Sequence, residues 1–349
     1  MDTLTHALSG ALLARATAPR DAAPRSIPRR VAAGFFAGAA PDLDFVVALA
    51  GPAEYLLHHR GVTHSLVMMP LWALPLAWLL AKILREPDGK TAGWRALYGV
   101  SMLGIGTHIA GDWITSYGTM VLAPLSDARA ALGTTFIIDL WFSGIILVGL
   151  ALSAFFYGSR VPSVAASIVL CGYVGFQYTL KEKALEFGQE YARSRGLAGA
   201  AVSVHPRPVS PYNWTVFVSD TEAHRFAHVN LARETVREFK PGDGFAAKLD
   251  APYRPLALAR WETRSRFGAS ELARQAWESP ALGFFRWFAA QPAYDGTSEA
   301  STCVWFLDLR FVNPGRDWVP FRFGACRDGS RSPWRAYQRD AEGGRTALD

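Results

Sequence analysis

The sequence predicts an α-helical membrane bundle of about six helices followed by an α+β soluble domain, and three observations predict it. Apolar runs free of ionised side chains crowd residues 1–180; residues 181–349 mix Arg, Glu, Asp, Pro and aromatics as a water-facing domain does; and the first half's His and Asp gather near the ends of its apolar segments. A composition of 50% hydrophobic and 19% charged residues over 349 positions averages over these two halves,. The boundary falls near Leu180, dividing a membrane domain with a metal site (1–180) from an extramembrane domain (181–349).

A helix crossing a hydrocarbon core of about 30 Å needs roughly 20 apolar residues, with tolerance to about 17. Ser65–Ala81, Leu140–Ser159 and Val161–Leu180 meet this without an ionised side chain. Lys82 can snorkel at the end of the first, and Pro70 and Pro75 are expected to kink it,. Val31–Ala53 and Ala96–Trp113 are equally apolar but carry Asp42, Asp44, His108 and Asp112, and Thr3–Ala14 is a sixth, partly inserted segment. Gly34 and Gly38 in one segment, and Gly99, Gly104 and Gly106 in another, permit close helix approach,.

Beyond Leu180, Lys181–Arg195 has the pattern of an amphipathic helix,. Trp214–Ser219, Arg225–Leu231, Thr302–Phe311 and Trp318–Ala325 have the aromatic and β-branched enrichment of strands,. Pro255–Glu278 is expected to be helical, and the tail after Tyr337 to fray. Of three cysteines, Cys171 is expected to be a buried thiol, whereas Cys303 and Cys326 can pair in an oxidising compartment,. His205, His224 and His228 are expected at the surface.

The net charge of +6 is spread along the chain rather than gathered in a basic run, so no nucleic acid is expected as a partner,. In the short loops on one side stand ten basic residues: Arg15, Arg20, Arg25, Arg29, Arg30, Lys82, Arg85, Lys90, Arg95 and Arg160. The other side has only two, Arg60 and Arg129. The positive-inside rule puts the ten in the cytoplasm, and the metal site and C-terminal domain on the periplasmic or exterior face.

An ionisable side chain within a membrane segment costs at least a few kcal/mol, so it needs a partner or a function. His108 and Asp112 are four apart, which sets imidazole and carboxylate on one helical face, as in zinc-binding HExxH helices,. Asp42 and Asp44 adjoin Pro41, which favours a break; one is expected to be a metal ligand and the other to bridge or support,. His59 and His64 flank Gly61, where an irregular turn aims both imidazoles inward, and Thr63 is placed to cap the next helix,. A single such residue is equally well explained as hydrogen-bonded glue between helices; the cluster points to a metal. Mixed N and O donors fit Zn²⁺, with Mn²⁺ or Fe²⁺ as alternatives. The expected ligands are His6, Asp42, His59, His64, His108 and Asp112; Asp44 or Asp139 bridges or orients water, and Arg60 holds an anionic substrate group.

Four elements carry a resemblance: Met1 through His6, Pro41 through Asp44, His59 through Ser65, and His108 through Asp112 followed by Ser116 through Thr119. In order and spacing, over about residues 1–150, they resemble the YdjM-type bacterial inner-membrane proteins, described as membrane-bound metal-dependent hydrolases. That family is distantly similar to zinc-dependent phospholipase C and its nuclease relatives, whose helical His-x-x-x-Asp pair and further His and Asp hold several zincs. His108 and Asp112 match that pair, and Asp42 and His64 match other ligands; no second His-x-x-x-Glu follows, leaving Asp139 as the nearest replacement. The resemblance implies metal-assisted hydrolysis in a multi-pass inner-membrane protein with membrane lipid around it; it does not supply the substrate, and a phosphoester near the headgroups is the leading class by analogy alone. An ion or solute transporter, and a non-catalytic scaffold with a structural metal, are the rival expectations.

Overall fold

The N-terminal helices put small residues inside and large apolar ones outside, the reverse of a soluble bundle. The computed structural model describes residues 1–20, 26–84, 93–268, 270–298, 302–316, 318–329 and 332–348. Arg25, Arg85 and Lys90 of the basic loops lie outside the described residues. The first part comprises α1 (Thr3–Ala16), α2 (Ile27–Ala39), a 3₁₀ segment (Ala40–Ala50), α3 (Pro52–His58), a 3₁₀ turn (Val62–His64), α4 (Met69–Ile83), α5 (Trp94–Trp113), α6 (Leu140–Phe155) and α7 (Val161–Ser194). The chain divides into two compact units, Met1–Val46 with His58–Tyr178, and Val47–Leu57 with Thr179–Asp349.

In the first unit Ala7, Ala11, Ala14, Ala33, Ala37, Ala73 and Ala77 are buried, while Leu71, Trp78, Leu147, Phe155 and Ile168 are exposed. Exposed apolar surface on this scale marks a membrane or partner, and small residues at the contacts are how lipid-embedded helices pack. The closest approach is between α1 and α2: a Cβ on Gly38 would stand 2.5 Å from the His6 carbonyl oxygen, and one on Gly34 2.5 Å from that of Gly10. Only glycine permits backbones this near.

Each of the six expected segments falls on a helix, yet length and hydropathy qualify fewer as crossings. Ile27–Ala50 (24 residues) and Val161–Ser194 (34 residues) suffice singly, and Pro52–His64 with Met69–Ile83 passes as a bent pair. The expectation of about six crossings is therefore met only in part: α1 has 14 residues, and α5 carries Arg95, His108 and Asp112. Two boundaries also move. Pro41 cannot supply the next α-helical N–H, so α2 gives way to the 3₁₀ segment,. Val161–Leu180 and Lys181–Arg195 fuse into α7, on which Cys171 is exposed rather than buried. Pro70 sits in the first turn of α4, where proline is tolerated without a kink, leaving only Pro75 inside it,.

Basic residues at one end of this unit satisfy carbonyls that helix ends leave without intrahelical partners. Arg15 donates to the Tyr157 and Ser159 oxygens at 2.8 and 2.6 Å. Arg30 donates to Ala14 at 2.9 Å, and Arg160 to Ala18 at 3.0 Å. The His and Asp residues occupy the opposite helix ends: the first turn of α1, the C-terminal side of α2 and the last turn of α5.

The second unit is layered. Among the described residues, one sheet runs β1 (Ala201–Pro206), β2 (Asn213–Ser219), β3 (Ala223–Asn230), β4 (Arg254–Pro255), with β5 (Trp261–Ser265) also paired to β3. The other is an antiparallel meander of β6 (Pro292–Ser298), β7 (Thr302–Asp308), β8 (Arg322–Arg327), β9 (Arg335–Arg339) and β10 (Arg345–Ala347). Short helices α8 (Phe245–Asp250), α9 (Glu271–Glu278) and α10 (Gly283–Phe288) complete it. Alternation along β2 sends Trp214 and Val216 toward Leu180 and Ala184 of α7, and Phe217 toward Ala293 and Leu307 of the second sheet,. Beyond that sheet Phe306 packs on Trp277 of α9, and Phe323 on Phe285 of α10.

The expected strands correspond to β2, β3, β7 and, four residues late, β8. The helix expected over Pro255–Glu278 is a correction: Trp261–Ser265 pairs with Ala223–Ala227 as β5, and only Glu271–Glu278 is helical, capped by Ser270. Charges at Arg260, Glu262 and Arg264 fit one exposed face of an edge strand as well as they fit a helix. The tail does not fray after Tyr337, because Arg345–Ala347 pairs back on Tyr337–Arg339. Cys303 and Cys326 lie directly across the β7–β8 ladder and form a disulfide.

Candidate metal centre

The 3₁₀ segment after Pro41 turns Asp42 and Asp44 to different sides. Asp42 stands with His64, His108 and Asp112, one potential ligand atom of each lying within 4.8 Å of all the others. His108 and Asp112 meet as helical neighbours, His108 Nε2 lying 3.6 Å from Asp112 Oδ2. His64 ends the Val62–His64 turn, with its Nε2 3.3 Å from Asp112 Oδ2, 3.6 Å from Asp42 Oδ1 and 2.9 Å from His108 Nε2. His64, His108 and Asp112 are fully buried, while the Asp42 side chain retains 14% exposure.

The outer contacts decide what these atoms present. His108 Nδ1 lies 2.6 Å from the Gly38 carbonyl oxygen, which can only accept, so the proton sits on Nδ1 and Nε2 carries a lone pair,. His64 Nδ1 lies 2.9 Å from Thr63 Oγ1, whose hydroxyl donates to Asp44 Oδ2 at 2.9 Å, so Nδ1 is again the protonated nitrogen. Two imidazole lone pairs and two carboxylate oxygens thus converge. Asp112 Oδ2 is buried with no hydrogen-bond donor among the described residues. Four acceptors crowd one another unless a proton or a cation bridges them, and this donor set fits a divalent metal bound by nitrogen and oxygen.

Around this group the supporting bonds are dense. Asp112 Oδ1 accepts from His6 Nε2 at 2.9 Å and lies 2.9 Å from Arg60, with the Met1 amino group on the same oxygen. The His6 ring stacks on His108 at 3.6 Å. Thr3 donates to Asp42 Oδ2 at 2.6 Å. His59 Nδ1 donates to Asp44 Oδ1 at 2.8 Å, and the Arg60 N–H donates to Asp44 Oδ2 at 3.1 Å. Arg60 itself holds φ = 60°, the left-handed region that few non-glycine residues adopt,.

The expected residues therefore separate into tiers. Asp42, His64, His108 and Asp112 come together as potential ligands. His6 touches the far oxygen of Asp112 instead of joining the four, and His59 stands behind Asp44, which in turn supports His64. Arg60 is buried against Asp112, Thr115 and the Tyr117 ring, so its charge is directed inward. Asp139 is not brought to the cluster: it caps α6 through the Trp141 and Phe142 N–H groups and accepts from Tyr173 and Gln177. Thr63 does not cap α4; the Ser65 hydroxyl accepts from Val67 and Met68 near that start. His224 is buried rather than at the surface, held between Ser219 and the Pro292 carbonyl, and His228 bonds Thr215. The sequence reading missed Thr3, the Gly38 carbonyl and Tyr117; the neighbouring residues His6, Asp42 and Ser116 were the available signals.

Residues 1–184 match the family described as YdjM inner membrane protein. The uncharacterized protein YfhP of Bacillus subtilis (strain 168) is 28% identical over 179 residues, covering 50% of this chain and 52% of that protein. The chain thus spans about half the length of this curated relative. No solved structure matches the chain. The family match covers more than half of the chain and includes every residue of the four-ligand group, so the chain belongs to the YdjM inner membrane protein family.

Proposed function

We propose that this protein is a multi-pass inner-membrane hydrolase that uses one or two divalent metals, Zn²⁺ first among them, to cleave an ester near the lipid headgroups. The observation that carries this is the convergence of the His64 and His108 Nε2 lone pairs with the Asp42 and Asp112 carboxylates. A cation held there would supply Lewis-acid polarisation and lower the pKa of a bound water toward about 7. Asp44 and Thr63 hold the His64 tautomer, the Gly38 carbonyl holds that of His108, and Arg60 and His6 balance the charge of Asp112. Asp42 is the partly open edge, which makes it the side from which an ester approaches. Leu43, Phe45, Ile138 and Trp141 are exposed in the same unit, on segments that adjoin the cluster in sequence or at the same helix ends, in keeping with a substrate delivered from lipid,.

The cluster sits at helix ends rather than mid-helix, which favours hydrolysis over transport. A structural metal is the second reading, favoured by the full burial of three of the four ligands. The periplasmic orientation is supported by the Cys303–Cys326 disulfide, since such bonds persist in oxidising compartments,. The deciding experiment purifies the chain, measures bound metal, and assays phosphodiester and phosphomonoester lipids in nanodiscs with added Zn²⁺ or Mn²⁺. Turnover that requires Asp112 and the metal together supports the hydrolase; stoichiometric metal without turnover of any ester class supports the structural reading. A reporter fused after Leu180 should behave as exported.

A further inference from the structure

The second unit contains a cleft of about 520 Å³ between its two sheets, which the metal chemistry does not use. Its floor is apolar, with Phe226 of β3, Leu307 of β7 and Val319 among its walls. Its rim is basic. Arg260, just before β5, and Glu262 and Arg264 within it alternate, so period two sets them on one face, and Arg254 of β4 also lines the cleft,. The side chains of Arg254, Arg260 and Arg264 make no hydrogen bond, ion pair or ring contact among the described residues. On the facing wall Arg322 is already neutralised by Asp295, its Nε donating at 2.8 Å. Among the described residues the cleft thus offers three unneutralised guanidinium groups against one free carboxylate, Glu262, over a hydrophobic floor.

We propose that this cleft binds an anionic ligand with an apolar body, a phosphate or carboxylate joined to a hydrocarbon group. Guanidinium groups form strong charge-assisted bonds to such anions, and an apolar floor with a few charged groups at its mouth is the usual form of a small-molecule pocket. The same chemistry occurs in an acidic lipid headgroup with part of its chain and in a soluble organic anion. Glu262 opposes the ligand, and its position between two arginines tunes affinity. This binding does not depend on the metal centre.

The test is calorimetric titration of the full chain in neutral phosphatidylcholine nanodiscs with hexyl phosphate, inorganic phosphate and hexylammonium, with empty discs as the blank. Hexyl phosphate should bind more tightly than inorganic phosphate, and hexylammonium should not bind. Arg260→Gln with Arg264→Gln should weaken hexyl phosphate about tenfold, whereas Glu262→Gln should strengthen it, a gain that misfolding cannot produce. Val319→Trp should fill the floor and weaken hexyl phosphate without affecting inorganic phosphate, and Asp112→Asn should change none of these. Discs containing phosphatidylglycerol that compete with hexyl phosphate would identify a lipid headgroup as the natural source; no competition would assign a soluble anion. Equal binding of hexylammonium, or undiminished binding after loss of both arginines, overturns the proposal.

Discussion

The Nε2 atoms of His64 and His108 face each other at 2.9 Å while the Nδ1 atoms of both rings hold the protons. Without a further proton neither nitrogen can donate to the other, so a bridging proton or a cation between them relieves the contact. Asp112→Asn removes one proposed anionic ligand at constant size, and bound metal should fall by about tenfold or more in elemental analysis. Asp44→Asn leaves the four ligands in place but loosens the His64 tautomer, and such supporting bonds are worth about 10- to 100-fold in affinity. Retention of stoichiometric metal by Asp112→Asn would remove the metal centre.

Asp139 makes the opposite prediction. Its carboxylate caps α6 and ties it to Tyr173 and Gln177 of α7. Asp139→Ala should cost about 1–2 kcal/mol in thermal unfolding and leave metal content unchanged. A loss of metal without a loss of stability would return Asp139 to the site.

Gly38 joins packing to chemistry. A methyl group there meets the His6 carbonyl, while the Gly38 carbonyl itself orients His108. Gly38→Ala should destabilise by about 1–3 kcal/mol through overpacking and lower metal affinity together. Thermal unfolding and metal titration of one sample test both, and a variant as stable and as metal-rich as the parent contradicts the packing described.

In the second unit, burial pushes His228 down to about 3, lowers His224, and carries His205 well below the ordinary imidazole range. Burial favours the neutral ring in the fold, whereas the unfolded chain protonates below about pH 6.5, so below that pH the unfolded state binds more protons. The contribution of His228 is complete above about 6.5 and is lost as pH falls toward 3, at up to about 1.4 kcal/mol per pH unit, and His224 and His205 act in the same direction,. Unfolding followed by tryptophan fluorescence should show lower stability at pH 5 than at 7.5, and His228→Gln should flatten that slope. A pH-independent stability would refute the assignment.

The candidate site was more legible than the sheets, for physical reasons. His108 and Asp112 announced themselves because helical spacing fixes their relation and an apolar segment makes charge conspicuous. His6 and Arg60 were visible as residues but not as partners of one carboxylate oxygen, since contacts spanning 106 and 52 positions are set by the fold. Asp139 misled because an N-cap and a catalytic carboxylate look alike in sequence. β5 was hidden by its edge position, where charged residues replace the alternation of a half-buried strand, and β10 by being only three residues long.

The glycine contact between α1 and α2 also bears on which ion the protein accepts. It fixes the backbone that carries His6 and the Gly38 carbonyl, the partners of Asp112 and His108, which would resist spreading of those donors around a larger ion. Calcium requires about six to eight oxygen donors at 2.3–2.6 Å and a yielding shell; here it would meet two imidazoles and two carboxylates within 4.8 Å. With a metal bound as proposed, the helix packing would work as a sieve, disfavouring large hard cations by stiffness and leaving the small borderline ions that take imidazole.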